Sequence, residues 1–137
     1  MKFLNKMKVK FFVDEEKGVV VAKLLKPASV VSNIWDVAET IDVDQKYQDY
    51  QDLRLKVFNC RGIARCSPED NFDIAIGKKI ALNRLKIKVA KLSHNHLEKA
   101  FRQMVKKVTN LNDDLTTYCQ NVEERLNKIY DIVGNKN

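Results

Sequence analysis

The chain has 137 residues, 45% of them hydrophobic, and a formal net charge of +7. This length suits one domain, and the apolar fraction suffices to bury a sizeable core. No stretch approaches the roughly 20 apolar residues that a membrane span needs, and the N-terminus lacks the long apolar run of a secretory signal. The basic balance favours an anionic partner, such as nucleotides, nucleic acids or a membrane surface.

The number of cysteines indicates the redox environment of the protein. There are three, Cys60, Cys66 and Cys119. An odd count without a secretory signal argues for a reducing environment. We therefore expect free structural thiols in a soluble, cytoplasmic protein that has no membrane partner.

The N-terminal third begins with two predicted strands. Lys8–Val13 and Val19–Leu25 are rich in Val, Phe and Leu, and a polar loop ending in Gly18 separates them. This pattern predicts a β-hairpin with a loop of four to five residues. Pro27 ends the second strand, because proline cannot donate to a ladder.

Residues 28–66 leave alternatives open. The apolar residues after Pro27 predict a short helix, and Asp42–Asp52 is either a loop or a short helix that forms an insertion at a sheet edge. Leu53–Val57 alternates apolar and charged residues, which predicts a strand. A bend at Cys60–Gly62 then precedes a short strand, Ile63–Cys66.

The C-terminal half is predicted to be helical. Ser67–Asp70 resembles a capping box with proline at the first helical position, although the helix can instead begin at Asp73. Apolar residues recur at helical spacing to about Val108, with a phase slip at Ser93–His96 that predicts a kink or break. Asn110–Asp113 predicts the end of this helix and the start of a second one.

The predicted fold class is therefore α+β, a small N-terminal antiparallel sheet followed by two antiparallel C-terminal helices, the first one long. We predict a single domain over residues 1–137, mainly β in 1–66 with an insertion near 28–52, and helical in 67–134. A helix of thirty-odd residues outgrows so small a sheet. We therefore expect a homo-oligomer that forms through the long helix.

Nothing in the sequence predicts an enzyme. His94 and His96 lack a third metal ligand and fall on different sides of a helix, so a solvated helical surface is expected. Glu69, Asp70 and Asp73 are explained by helix capping rather than by acid–base catalysis. No phosphate-binding glycine loop or nucleophile elbow is present. We expect no catalytic residue, no metal and no cofactor.

The basicity is concentrated in residues 77–107, which hold ten Lys or Arg against one acid, Glu98. Such a run is either a solvated face or a binding surface. The functional interpretation is that Arg61, Arg65 and Arg84 converge near the strand-to-helix turn, where arginine suits bidentate phosphate contact. If residues 61–65 are extended, Arg61 and Arg65 share one face of the strand.

Two uncharged side chains complete the predicted ligand-binding set. Phe72, beside the turn, either stacks on a base or anchors the turn in the core. Asn83 either reads a base edge or ribose hydroxyl, or is simply an exposed helical asparagine.

The same region resembles a known family in the segment Gly62–Asp70 and in four later positions, Phe72, Asp73, Gly77 and Ala81. It resembles small bacteriophage proteins of the anti-Thoeris sponge family, which sequester cyclic ADP-ribose isomers. Members of that family assemble into oligomers, and some also hold cyclic oligonucleotides. The resemblance covers residues 53–92 in motif and the rest only in architecture.

The resemblance implies a phage anti-defence protein, active in the host cytoplasm, that binds and sequesters a cyclic nucleotide immune signal without catalysis. Two alternatives remain. The first is a basic nucleic-acid-binding phage protein, which the charge of residues 77–107 favours. The second is a protein-binding inhibitor of a host defence enzyme, for which the acidic stretch 33–52 or the helices provide the surface.

Overall fold

A computed structural model describes residues 2–67 and 71–134. Packing divides the chain into two compact units, residues 1–101 and 102–137. The elements in chain order are α1 (Lys2–Asn5), β1 (Val9–Asp14), β2 (Val19–Leu24), α2 (Pro27–Ile41), α3 (Tyr47–Phe58), β3 (Arg61–Arg65) and α4 (Ile74–Gly134). The predicted α+β class is confirmed. None of the described helices is both long and apolar enough to cross a lipid bilayer.

The three strands form one antiparallel sheet in the order β1–β2–β3. The predicted hairpin is confirmed, and its loop holds four residues, so that Asp14 pairs with Val19. Gly18 ends this loop with φ at +62°, a conformation that glycine adopts without strain. Backbone alternation divides the sheet into a buried inner face and a solvent-exposed outer face.

The inner face packs on helices α2, α3 and α4 to form the core of residues 1–101. Val20, Ala22 and Leu24 of β2 and Ala64 of β3 contribute from the sheet, and the helices contribute Val30, Val31, Ile34, Leu53, Val57, Ala81, Leu85 and Val89. Residues 28–52 are therefore not a peripheral insertion, since α2 supplies much of this core. Burying these side chains supplies the main favourable term for folding.

The predicted strand Leu53–Val57 is wrong, because these residues belong to α3. Leu53 and Val57 are buried one helical turn apart, whereas Leu55 between them is 65% exposed. The helix begins after Lys46, whose backbone N–H donates to the Asp49 carboxylate. Alternation over five residues fits both periods, and burial of the i and i+4 positions favours the helix.

The first part of α4 approaches the sheet closely because its contact positions are small. Gly77 and Ala81 lie on the buried stripe that continues with Leu85, Val89 and Ser93. A Cβ atom on Gly62 of β3 would lie 2.0 Å from the Ala81 carbonyl oxygen and 2.6 Å from the Leu85 nitrogen. Strand and helix therefore meet backbone to backbone at Gly62.

The start of α4 matches the later of the two predicted starts. The Ile76 N–H donates to the Asp73 carboxylate, which therefore caps the helix. The earlier start falls on Pro68–Asp70, which lie outside the described residues.

The prediction of two C-terminal helices is wrong, because α4 is a single helix of 61 residues. It continues through Ser93–His96, where the buried Ser93 hydroxyl donates to the Val89 carbonyl. It also continues through Asn110–Asp113. Asparagine and aspartate each cost only a few tenths of a kcal/mol relative to good helix formers, and no glycine or proline interrupts the segment.

Residues 102–134, the described part of the second unit, are entirely helical. Their side chains are exposed except for Met104 and Val122, which are partly buried. The exposed side chains include many large apolar ones.

Replacing Gly62 with alanine tests the backbone contact between β3 and α4. We expect Gly62→Ala to lower the free energy of unfolding by about 3 kcal/mol or more, because backbone atoms cannot move aside as a side chain can. Urea denaturation followed by circular dichroism measures this change. Gly134→Ala is the control, since no atom lies within 4 Å of its added Cβ. Equal stability of the two variants would contradict the contact.

Candidate anion-binding face of the sheet

The outer face of the sheet is open to solvent, because the described helices pack on the inner face. The register aligns its side chains in three rows that run across the strands. One row holds Lys10, Lys23 and Arg61, the next holds Phe12, Val21 and Ile63, and the last holds Asp14, Val19 and Arg65. A cationic row therefore lies beside an apolar row on one flat surface.

The cationic row places three positive charges directly opposite one another. Lys10, Lys23 and Arg61 are all exposed, and adjacent strands lie only about 4.8 Å apart. Like charges at directly opposed positions destabilise a sheet. Within the described chain no carboxylate forms an ion pair with any of the three. The row thus concentrates uncompensated positive charge on this face.

Phe12 lies next to this row and is 50% exposed. The Lys10 ammonium lies 5.6 Å from the centre of its ring and the Lys23 ammonium lies 5.3 Å from it. Two cations over one ring hold it by cation–π attraction. The arrangement presents an aromatic surface beside a cationic one, between Lys10 and Asp14 of the same strand face.

The basic surface extends past the end of the hairpin. The Leu25 N–H donates to the Lys8 carbonyl, which adds one rung to the β1–β2 ladder beyond Val9 and Leu24. At that end of the hairpin lies a cavity of about 450 Å³, which is lined by Lys2, Lys6, Lys8 and Lys26 together with Phe3, Met7, Ser29, Val30 and Asn33. No carboxylate is among these lining residues.

The structure brings only part of the predicted site together. Arg61 and Arg65 share the outer face, as the strand period predicts. The Arg84 guanidinium, exposed on α4, donates to the Ile63 carbonyl at 2.6 Å. Lys88, one turn later, donates to the Arg61 carbonyl at 2.8 Å. These two carbonyls lie on the free edge of β3, so Arg84 and Lys88 cover an edge strand that would otherwise be available for pairing.

The other predicted positions lie at the junction between β3 and α4. Arg65 and Phe72 line a cavity of about 240 Å³ with Ser67, Asn71 and Asp73. Phe72 packs against the core cluster, and its ring lies 3.7 Å from the position of a Cβ on Gly77. This contact matches the alternative in which Phe72 anchors the turn. Asn83 is exposed on α4 and does not line this cavity.

Lys10, Phe12 and Lys23 were not predicted from the sequence. The signal was the alternation in each strand of the hairpin, which places positions 10 and 12 on one face and 21 and 23 on one face. Only the pairing register shows that these two faces coincide, and the loop length that sets the register was not fixed by the sequence.

His96 also differs from its prediction as a solvated surface residue. It is partly buried, and its Nε2 lies 2.7 Å from the Gln45 Oε1. Its ring lies 5.7 Å from that of Trp35, which in turn meets Tyr50 edge to face. Lys99 forms an ion pair with Asp49 nearby. This cluster connects the region between α2 and α3 to α4, whereas His94 is exposed as predicted.

The fold and the outer face define a small α+β protein with a one-sided antiparallel sheet and a cationic solvent surface. Comparisons with protein-family models, with characterised proteins and with solved structures find no match for this chain. The resemblance to the sponge family therefore stays a prediction.

The His96 cluster predicts a pH-dependent stability. Burial lowers the pKa of His96 below its ordinary value, and the Asp49 carboxylate only partly opposes this shift. A histidine that is harder to protonate in the folded state contributes stability at neutral pH and loses it as the pH falls below about 6.5. The pKa of Asp49 is itself lowered, chiefly by its hydrogen bond to Lys99, so its contribution is lost only in more acidic solution.

We therefore expect His96→Gln to reduce the loss of stability between about pH 7 and pH 5. Chemical denaturation at a series of pH values measures this loss of stability. The matched control is His94→Gln, which removes the other, exposed histidine of the same helix, outside the His96 cluster. Identical profiles for the two variants would exclude the assigned role of His96.

Proposed function

We propose that the open face of the sheet binds single-stranded nucleic acid without catalysis. In this proposal Lys10, Lys23 and Arg61 contact successive phosphates, and Phe12 stacks on a base. Arg65 and the lysine-lined cavity extend the contact along the nucleic-acid strand. A positively charged groove or face combined with an exposed aromatic ring is the recurring design of proteins that bind single strands.

The observation that carries the proposal is the alignment of three cations with no carboxylate partner. Opposed like charges cost stability in the free protein. A polyanion placed across the row removes that repulsion and releases its own condensed counterions, which makes binding favourable and dependent on salt. The repulsion among the three cations of the free protein is therefore relieved when the polyanion binds.

The position of Phe12 favours a single strand over a duplex. In a duplex the bases are stacked on one another, and a flat protein surface reaches mainly phosphates and groove edges. Unpaired bases are free to stack on an exposed aromatic side chain, which is how sheet surfaces recognise RNA. Phe12 is half exposed on the edge strand β1, and the exposed part of its ring is accessible for such stacking.

Charge removal distinguishes the sheet face from the basic helix. We expect Lys10→Gln/Lys23→Gln to weaken binding to labelled single-stranded oligonucleotides and to reduce the salt slope by about 1.4, since each lost phosphate contact removes about 0.7. Fluorescence anisotropy over a salt series measures both quantities. The control Lys79→Gln/Lys91→Gln removes the same charge from exposed positions of α4. Equal losses in both variants would contradict a specific role for the face.

Loss of the aromatic ring tests stacking separately from charge. We expect Phe12→Ala to weaken single-strand binding by about 5- to 150-fold, which corresponds to ~1–3 kcal/mol for one stacked base. Phe58→Ala is the matched control, because Phe58 is another exposed phenylalanine with a cation, Arg54, over its ring. Oligonucleotide binding that survives Phe12→Ala unchanged would exclude stacking on this face.

The junction cavity supports a second candidate, the sequestration of a cyclic nucleotide signal. It joins an arginine, Arg65, to an aromatic ring, Phe72, as the sponge hypothesis requires. Its volume of about 240 Å³ lies below the range of ~300–1,000 Å³ that is usual for small-molecule pockets. The open face is for this reason the better supported site.

Calorimetry with cyclic ADP-ribose isomers and cyclic oligonucleotides separates the two candidates. Under sequestration, Arg65→Gln abolishes binding of the cyclic ligand and Arg61→Gln does not, since only Arg65 lines the cavity. Under single-strand binding, neither parent nor variants retain cyclic ligands, and both substitutions weaken oligonucleotide binding.

A further inference from the structure

The second unit carries a seven-residue repeat. From Met104 the apolar positions alternate in steps of four and three residues, through Val108, Leu111, Leu115, Tyr118, Val122, Ile129 and Ile132, with Arg125 as the single exception. This spacing corresponds to alternating d and a positions of four consecutive heptads. A strict repeat of seven keeps one apolar seam facing a partner helix, which distinguishes a coiled coil from a helix that packs on a globular core.

Within residues 102–134, the described part of the second unit, no side chain covers the seam. The side chains of Val108, Leu111, Leu115, Tyr118, Ile129 and Ile132 are each more than half exposed. Apolar residues at neighbouring positions, among them Val105, Leu126 and Val133, widen the exposed surface. A contiguous apolar patch of this extent on a soluble chain marks an interaction surface.

We propose that this seam binds the same seam of a second copy, and that the two helices run antiparallel. Residues 102–107 hold the bases Arg102, Lys106 and Lys107 and no acid, whereas residues 123–131 hold the acids Glu123, Glu124 and Asp131 against the bases Arg125 and Lys128, a net charge of −1. An antiparallel partner sets the basic end of each helix beside the acid-bearing end of the other. In a parallel pair in register, the basic end of each helix would instead lie beside the basic end of the other.

The exception within the repeat supports the same orientation. In a parallel pair in register, Arg125 would face the partner's Arg125 across the seam. In an antiparallel pair that sets Met104 opposite the partner's Ile129, Arg125 instead faces the partner's Val108, and its guanidinium can extend to water over that side chain. Lys107 then approaches the partner's Lys128, but this contact lies at the solvent-exposed border, where such charges interact weakly.

The first test is the oligomeric state of the full chain. Sedimentation analysis over a range of protein concentrations should give twice the mass of the chain, and Leu111→Asp should raise the dissociation constant about 30-fold or more. The matched control is Thr109→Asp, which adds the same charge two residues away, outside the repeat. Circular dichroism verifies that both variants remain folded. A monomer at every concentration, or equal effects of the two substitutions, would overturn the proposal.

Disulfide formation tests the orientation. In a Cys66→Ser/Cys119→Ser background, Met104→Cys and Ile129→Cys should form a mixed disulfide when the two proteins are combined, because the antiparallel register places these positions opposite each other. Neither variant alone should form a disulfide with itself. Self-linkage of either single variant, with no mixed product, would establish parallel helices and overturn the assigned orientation.

Discussion

The contact of Gly62 with α4 constrains the rest of residues 1–101. Because the strand and the helix meet through backbone atoms, no side chain larger than hydrogen fits between them at that point. The same close approach brings Arg84 and Lys88 within reach of the two carbonyls on the free edge of β3. The helices therefore seal the inner face and cover one edge, and the outer face is the surface of the sheet that stays accessible.

Which side chains share that outer face depends on the length of the hairpin loop, because adding a single residue changes the pairing. With four loop residues, Lys10 lies opposite Lys23 and Phe12 opposite Val21. A loop of five would shift the pairing by one and turn Phe12 toward the core, since side chains alternate with a period of two. The sequence predicted a loop of four to five residues, so it predicted both strands correctly and could not predict which residues share the open face.

The errors in helix prediction have a related cause. In Leu53–Val57 the two-residue and four-residue periods coincide, and only the exposure of Leu55 separates them. At Asn110–Asp113 polar residues suggested a turn, but a small cost in propensity does not end a helix whose apolar repeat continues on both sides. There the periodicity, and not the local composition, indicates the structure. By contrast, the two hairpin strands have signals that only one kind of element satisfies.

The placement of charge, rather than its density, separates the two basic regions. Residues 77–107 hold most of the excess, yet several of their cations have structural contacts: Arg84 and Lys88 bind the β3 edge, and Lys99 pairs with Asp49. These contacts fasten α4 to the sheet and to α3. Lys10, Lys23 and Arg61 have no carboxylate of the described chain beside them, although they are fewer. A partner's negative charge at the sheet therefore relieves repulsion that is already present between directly opposed cations.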